Sequence, residues 1–406
     1  MKVFFRRIHL YLGLAAGLII TISSLTGALL VFEKELTEAF NHDRYYVQPA
    51  GARLSLDKLA AMVKEQVPGA GIARIQVFAD PERTAQVLLD EGKKAKKESG
   101  NDKAAKKGKP GAPPKKEKGR TAFVDPYTGK VVELYSYQQT FYYKIFSLHR
   151  WLLAGDTGKV ITGISTLIFL FILITGIVLW WPKTRAIFKQ RVKMKWGSGW
   201  KRFNHDMHVV FGFYASIFLF IVAFTGLTWS FDWFSNAFYS LLGGTPKQAV
   251  APLSAPAAVA ANSGKISCES ALAIVQQQAP GAVFYAVSAP KDSTAAFTVS
   301  LLPQGALHDN ATTTYYLDQF KGKMIQSQTF AQRSLAQQVK ASVKPVHTGA
   351  IFGTASKVFA LIIALLGATF PATGTIMWIN RTRKKKKKVK SPAMPVEVRQ
   401  VAPVGN

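Results

Sequence analysis

Four histidines carry the chemistry that the sequence suggests. Of seven in the 406-residue chain, His9 and His208 stand 199 residues apart, and His149 and His347 stand 198 apart. Imidazoles at like positions of a duplicated chain face one another across the axis that relates the copies. Two facing imidazoles in a helical bundle are what a six-coordinate haem iron takes. The single cysteine, Cys268, excludes a disulfide framework, a Cys-rich zinc site, an iron–sulfur cluster and a covalently attached c-type haem. The histidines therefore point to two b-type haems, each without a covalent link.

The neighbours of these histidines agree with that reading. Gly13 and Gly17 lie four and eight residues after His9, and Gly212 and Ser216 repeat the pattern after His208. Gly27 and Gly226 follow eighteen residues on, five full helical turns and about 27 Å further along, where a glycine lets a flat macrocycle approach. Arg7 and Arg202 near one pair, and Arg150 beside His149, are of the type that binds a haem propionate. His205, three residues before His208, is an alternative ligand or a propionate partner; His42 and His308 have no repeat partner and read as surface residues. Plainer explanations exist for each. Small residues at every fourth position pack membrane helices together, a lone histidine at a helix end is often interfacial, and arginines anchor at membrane edges.

Such histidines need rigid elements at fixed depth. Four runs, 10–32, 160–181, 209–231 and 358–379, each hold 22 or 23 residues without one Asp, Glu, Lys or Arg. About 20 helical residues cross a bilayer core, and only a helix satisfies its own backbone there over such lengths. The net charge of +29 therefore belongs to a membrane protein and not to a soluble nucleic-acid binder. The first run is too long for a signal-peptide core and reads as a retained anchor. The short flanks set the orientation: Lys2, Arg6 and Arg7 before the first run, eight basic and no acidic residues in 182–203, and Arg381, Arg383, Lys384 to Lys388 and Lys390 after the last. All three fall on one side of a four-pass chain, which predicts both termini in the cytoplasm and two large loops outside. The stretch 93–120, with twelve basic and three acidic residues, reads as a disordered insertion. The basic tail is suited to anionic lipid.

The resulting organisation is a cytoplasmic N-terminus and first span (1–32), an outer domain with the Lys-rich insertion (33–158), a second span (159–181), a basic loop (182–203), a third span (204–231), a second outer domain (232–357), a fourth span (358–380) and a basic tail (381–406). The repeat extends well beyond the histidines. Thr26-Gly27 matches Thr225-Gly226, and Lys159, Thr175, Gly176 and Trp180 match Lys357, Thr373, Gly374 and Trp378. In the outer loops Ser55, Asp57, Val63 and Pro68 match Ser267, Glu269, Val275 and Pro280. Each unit is a helix, an outer domain and a helix, so the halves are parallel repeats about an axis along the membrane normal. His9 and His208 then share one depth near the cytoplasmic face, and His149 and His347 another near the outer face. Each outer domain reads as a small α+β unit: a helix over 56–66 behind Ser55 as N-cap, strands over 73–78 and 85–89, and a hairpin over 121–134 turning at Asp125-Pro126-Tyr127-Thr128-Gly129, with 271–278, 283–287, 296–301 and 315–325 as the second copy. Trp180, Trp181 and Trp378 read as aromatic-belt residues.

The helix, two strands and Val-Asp-Pro-Tyr-Thr-Gly-Lys-Val that follow one another here resemble a PepSY domain. Arg7-Ile8-His9 with Gly13, and Leu148-His149-Arg150 with Gly155, Gly158, Thr175-Gly176 and Trp180-Trp181-Pro182, resemble the PepSY-associated transmembrane family. The family includes inner-membrane siderophore reductases and other iron-regulated membrane proteins of bacteria. The resemblance implies a haem-bearing four-helix unit in the bacterial inner membrane, passing electrons outward to a ferric chelate such as a siderophore. The extra histidine in Asn204-His205-Asp206-Met207-His208 and the Lys-rich insertion depart from it. No dinucleotide fingerprint, Walker motif, Gly-x-Ser-x-Gly elbow or His-Glu-x-x-His helix occurs, so electrons must come from quinol or a cytoplasmic reductase. Two other classes remain open on sequence: a haem-free sensor whose outer domains bind a peptide or protease, and a transporter. The spans carry no charge and no break apart from Pro371, which argues against the transporter.

Overall fold

The computed structural model describes residues 2–90, 119–244, 252–254 and 264–389, with side chains as far as Arg383. All but the last two residues of the Lys-rich stretch 93–120, and the tail beyond 389, lie outside the described residues. Four helices are long and apolar enough to cross a membrane: Lys2–Leu30, Gly155–Trp180, Trp200–Ser230 and Ala350–Arg383. In chain order the helices are α1 (Lys2–Leu30), α2 (Glu33–Phe40), α3 (His42–Tyr45), α4 (Leu56–Gln66), α5 (Phe141–Trp151), α6 (Gly155–Trp180), α7 (Arg185–Arg191), α8 (Trp200–Asp206), α9 (Gly212–Ser230), α10 (Asp232–Leu241), α11 (Cys268–Gln278), α12 (Leu335–Thr348) and α13 (Gly353–Val389). The strands are β1 (Gly71–Phe78), β2 (Ala85–Asp90), β3 (Thr121–Val124), β4 (Val131–Tyr135), β5 (Phe284–Ser288), β6 (Phe297–Leu302), β7 (Thr313–Leu317) and β8 (Met324–Gln328).

The long helices form a closed ring. α1 packs against α6 and α13, and α9 packs against the same two, so α1 and α9 occupy one diagonal. Leu170, Leu173, Ala215, Leu219, Ala223 and Leu227 are buried between α6 and α9, with Ile363 of α13 joining them. Leu18, Ile217, Phe171 and Ile362 point outward and stay exposed, as side chains facing lipid must. Gly17 packs on Pro371, whose Cβ would lie 3.1 Å from an added methyl group. This is ordinary close packing of small residues, and it leaves Gly17 without a part in a cofactor site. α8 runs into α9 through a π-helical turn, Met207–Phe211, which the apolar pattern does not announce.

The segments that follow the first and third spans both contribute to one antiparallel sheet of order β4-β3-β2-β1-β5-β6-β7-β8. The strand positions agree with the sequence reading to within a few residues. The expected pair of small domains is corrected in one respect: β1 and β5 join edge to edge, Ile75 opposite Val287 and Val77 opposite Tyr285, and the halves share one core. Pairing satisfies two edges that separate domains would leave open. α4 and α11 supply Leu56, Leu59, Val63, Ala271, Leu272 and Val275 to that core, all fully buried. At roughly 1.5–3 kcal/mol for each large apolar side chain, their burial is the main force holding the helices on the sheet. The Asp125 and Asp318 turns are structural, as expected. Asp125 Oδ1 accepts from Tyr127 N at 2.8 Å and Asp318 Oδ1 from Phe320 N at 2.9 Å, with Gly129 and Gly322 at positive φ.

The two helices also cap each other. Asp57, in the first turn of α4, accepts from the backbone N–H groups of Cys268 and Glu269 at 2.9 and 3.0 Å. Glu269, in the first turn of α11, accepts from Leu56 N at 2.7 Å and pairs with Arg53. Each carboxylate thus satisfies orphan donors at the other helix's N-terminus. Replacing Asp57 by Ala is expected to cost about 1 kcal/mol. Hydrogen exchange should accelerate at the first amides of α11 and not at those of α4; acceleration confined to α4 would refute the crossed caps.

Candidate functional site

The four repeat-related histidines come together as two pairs inside the helical ring. His9 of α1 and His208 of the π turn have ring centroids 6.3 Å apart with planes crossing at 88°. His149 of α5 and His347 of α12 have centroids 6.2 Å apart with planes at 68°. On α1, seventeen residues separate His9 from Thr26, the contact of His149, which places the levels roughly 25 Å apart along the helix. One level lies at the end bearing residue 2 and the 182–203 loop, the other at the end bearing the sheet.

Each imidazole is held by a neighbouring span in the same way. His9 Nδ1 lies 2.9 Å from Thr175 Oγ1, and His208 Nδ1 lies 2.9 Å from Thr373 Oγ1. His149 Nδ1 lies 3.1 Å from Thr26 Oγ1 and 2.9 Å from the Ser23 carbonyl. His347 Nδ1 lies 3.0 Å from Thr225 Oγ1 and 2.9 Å from the Val222 carbonyl. All four threonine hydroxyls donate to carbonyls one turn back in their own helices, Ile172, Thr369 or Phe370, Ile22, and Ile221. Their oxygens are therefore left to accept. A carbonyl or an acceptor hydroxyl beside Nδ1 assigns the proton to Nδ1, so the lone pair sits on Nε2. An Nδ1–H bond to a fixed acceptor is the arrangement that orients a metal-ligating histidine and raises its basicity.

The glycine after each threonine makes room for the ring. A Cβ on Gly27 would meet His149 Cε1 at 3.2 Å, on Gly176 His9 Cε1 at 3.3 Å, on Gly226 His347 Cε1 at 3.2 Å and on Gly374 His208 Cε1 at 3.1 Å. This corrects the expectation for Gly27 and Gly226: an imidazole occupies the space assigned above to a macrocycle. Gly13 and Gly212 behave differently. Nothing lies within 4 Å of a Cβ built on either, so the space one turn from His9 and His208 is open.

The ring separations fit an axial pair. With imidazole–metal bonds of about 2 Å and about 1.2 Å from nitrogen to ring centre, two imidazoles on opposite sides of one metal stand about 6.4 Å apart. Among the described residues no three His, Cys, Asp or Glu side chains gather as a metal cluster. A haem asks only for two axial ligands, because its ring supplies four nitrogens.

The remaining expected residues are placed less uniformly. His205 turns to Asp206, 3.1 Å away, and does not join His9; the π turn directs His208 inward instead. Arg202 bonds Asp206 Oδ2 at 2.8 Å, and that carboxylate is 1% exposed. Arg7 is exposed. Arg150 donates from a terminal nitrogen to the Trp229 carbonyl at 3.2 Å, while its buried Nε has no partner. After it, Leu152 and Leu153 both take positive φ, 51° and 57°, and Gly158 admits the Trp151 carbonyl where any Cβ would collide. This forced reversal into α6 holds His149 and Arg150 at the bundle end. His308 is corrected from surface to interior: Nε2 meets Ser342 Oγ at 3.0 Å and Nδ1 accepts from Asn310 N. Trp180 is also buried, stacked on Phe213 at 3.6 Å, and so is not a belt residue; Trp181 and Trp378 are exposed. His42 is exposed and stacks on Tyr46.

Sequence reasoning missed the threonines. The signal was present, since Thr26-Gly27, Thr175-Gly176, Thr225-Gly226 and Thr373-Gly374 place one repeat-matched Thr-Gly step in each span. A Thr26→Val/Thr225→Val protein keeps the volume and loses two of the bonds to His149 and His347. It is expected to bind haem 10- to 100-fold more weakly at that level alone, measured by haem titration; unchanged affinity would show that the hydroxyls do not orient the ligands.

A comparison with curated proteins finds no match. The family model described as the PepSY-associated TM region matches residues 6–381, nearly the whole chain and all four long helices. The chain is a multi-pass membrane protein that belongs to the family of the PepSY-associated transmembrane region.

Proposed function

We propose that the protein is a dihaem b-type electron conduit of the bacterial inner membrane, built by duplication, that reduces a ferric chelate on the sheet side. The observation that carries this reading is the pair of facing histidine couples, each ring fixed through Nδ1, with no hydrogen bond to Nε2 among the described residues. Bound between them, haem supplies a one-electron couple at each level. His9 and His208 are the ligands proposed for one level, and His149 and His347 for the other. The Thr-Gly sites set ring orientation, and the apolar walls of α6, α9 and α13 keep water from the space between.

The orientation rests on charge. Loop 182–203 and the residues around Lys2 are basic, and both lie at the His9–His208 end, where Lys2 Nζ donates to the Trp181 carbonyl. By the positive-inside rule this end faces the cytoplasm, and the sheet faces the periplasm. Electrons enter from quinol or a cytoplasmic reductase and leave beside the sheet. Trp229, Trp233 and Phe141 are exposed at that end and suit a large, partly apolar chelate. The chelate's Fe(III) gains one electron. The resulting Fe(II) is held less tightly by hard oxygen donors and is released, with no protein nucleophile taking part.

The test starts from purified, reduced protein. Ferric hydroxamate is added with a ferrous trap, and reoxidation is followed by absorbance. Reoxidation should be fast in the natural protein and at least tenfold slower in His149→Ala/His347→Ala. Equal rates would remove the sheet-side pair from the reaction and with it the chelate-reductase reading.

A further inference from the structure

The two histidine levels differ in the unpaired charge beside them. At the sheet end, the residue after His149 is Arg150, while the residue after His347 is Thr348, whose hydroxyl bonds the Lys344 carbonyl. The outer level therefore has one guanidinium and not two. Among the described residues no carboxylate pairs with it: its one hydrogen bond goes to the Trp229 carbonyl, and its Nε is buried without a partner. Two other cations at this end are matched, Lys357 by Glu35 and Lys34 by Asp309. Trp229 also touches the His347 ring, with centroids 5.1 Å apart, so the carbonyl that Arg150 holds belongs to a residue in direct contact with the pair. At the opposite end the charge nearest His208 is paired. Asp206, two residues before His208, is 1% exposed, and its partner Arg202 is partly open to solvent.

We infer that Arg150 is a tuning residue that makes the sheet-side haem the higher-potential site, so that electrons run downhill from the His9–His208 level to the His149–His347 level. The inference rests on the two-haem reading above. Reduction adds one negative charge at the iron. An unpaired positive charge in a partly desolvated place stabilises that state, whereas the Arg202–Asp206 pair adds little net charge at the other level. The transfer balances as a one-electron exchange: the first level is oxidised, the second is reduced, and no proton or added reactant takes part. A carboxylate drawn to Arg150 by a bound haem keeps the sign, because removing the guanidinium then leaves that carboxylate unbalanced. Arg150 acts through the field and not by ligation.

A potentiometric titration of the purified holoprotein, read by absorbance, tests this without any turnover. Two one-electron waves are expected, and the higher should be absent from His149→Ala/His347→Ala. Arg150→Gln should lower the equilibrium constant for reducing that site about tenfold, about 59 mV for one electron, and leave the lower wave in place. Arg150→Lys keeps the charge without the planar fork and should restore most of the shift. The inference is overturned if the two sites titrate at one potential, if the higher wave belongs to His9 and His208, if Arg150→Gln leaves both waves unmoved, or if Arg150→Lys falls as far as Arg150→Gln. A protein that binds no haem, or only one, contradicts the two-haem reading instead.

Discussion

The arrangement depends on one repeated contact, a histidine Nδ1–H donated into a Thr-Gly step on a neighbouring span. α1 receives His149, α6 receives His9, α9 receives His347 and α13 receives His208, so every span carries one receiving step. The glycine lets the ring approach and the threonine oxygen fixes its proton. A side chain on the glycine would crowd Cε1, and at the sheet end the Ser23 and Val222 carbonyls share the Nδ1 proton with the threonine oxygen. The contact ties helix to helix and, at the same time, leaves each Nε2 unbonded. Structure and proposed ligation therefore draw on the same four side chains.

The sheet end needs more support than the other end, because its histidines do not lie on spans. α5 and α12 are short helices outside the four spans, and each must be held so that one ring enters the bundle. Caps begin them: Thr140 accepts from Tyr143 N, and Ser334 forms a capping box with Gln337. Left-handed residues end them, Leu152 and Leu153 after α5 and Gly349 after α12. Above, the fused sheet joins the two halves. Its central β1–β5 pairing and the crossed Asp57 and Glu269 caps tie the two segments together.

Much of this was legible in the sequence, and the exceptions have identifiable causes. Spans, strands and turns follow from local patterns, uncharged apolar runs, alternation and Asp-x-x-x-Gly, and each appears within a few residues of its expected place. The pairing of His9 with His208 and of His149 with His347 followed from spacing alone. Part of what the pattern did not reveal depends on distant contacts. Gly27 and Gly226 lie on the expected helices, but the ring that fills their space comes from residues more than a hundred positions away. The joining of β1 to β5 has no local signature, because an edge strand and an interior strand alternate alike. The π turn at Met207–Phe211 is a backbone adjustment that sets His208, and not His205, opposite His9. His308 was misjudged because its partners, Asn310 and Ser342, are polar residues that also suit a surface.

The central claim is that these four histidines hold two six-coordinate b-type haems. The most direct measurement is the haem content of the purified protein, by pyridine haemochrome against protein concentration, together with electron paramagnetic resonance of the oxidised form. The account predicts two haem b per chain, both low-spin with two imidazole ligands, falling to one in either His9→Ala/His208→Ala or His149→Ala/His347→Ala. A colourless protein, or haem content unchanged in both double variants, would contradict it.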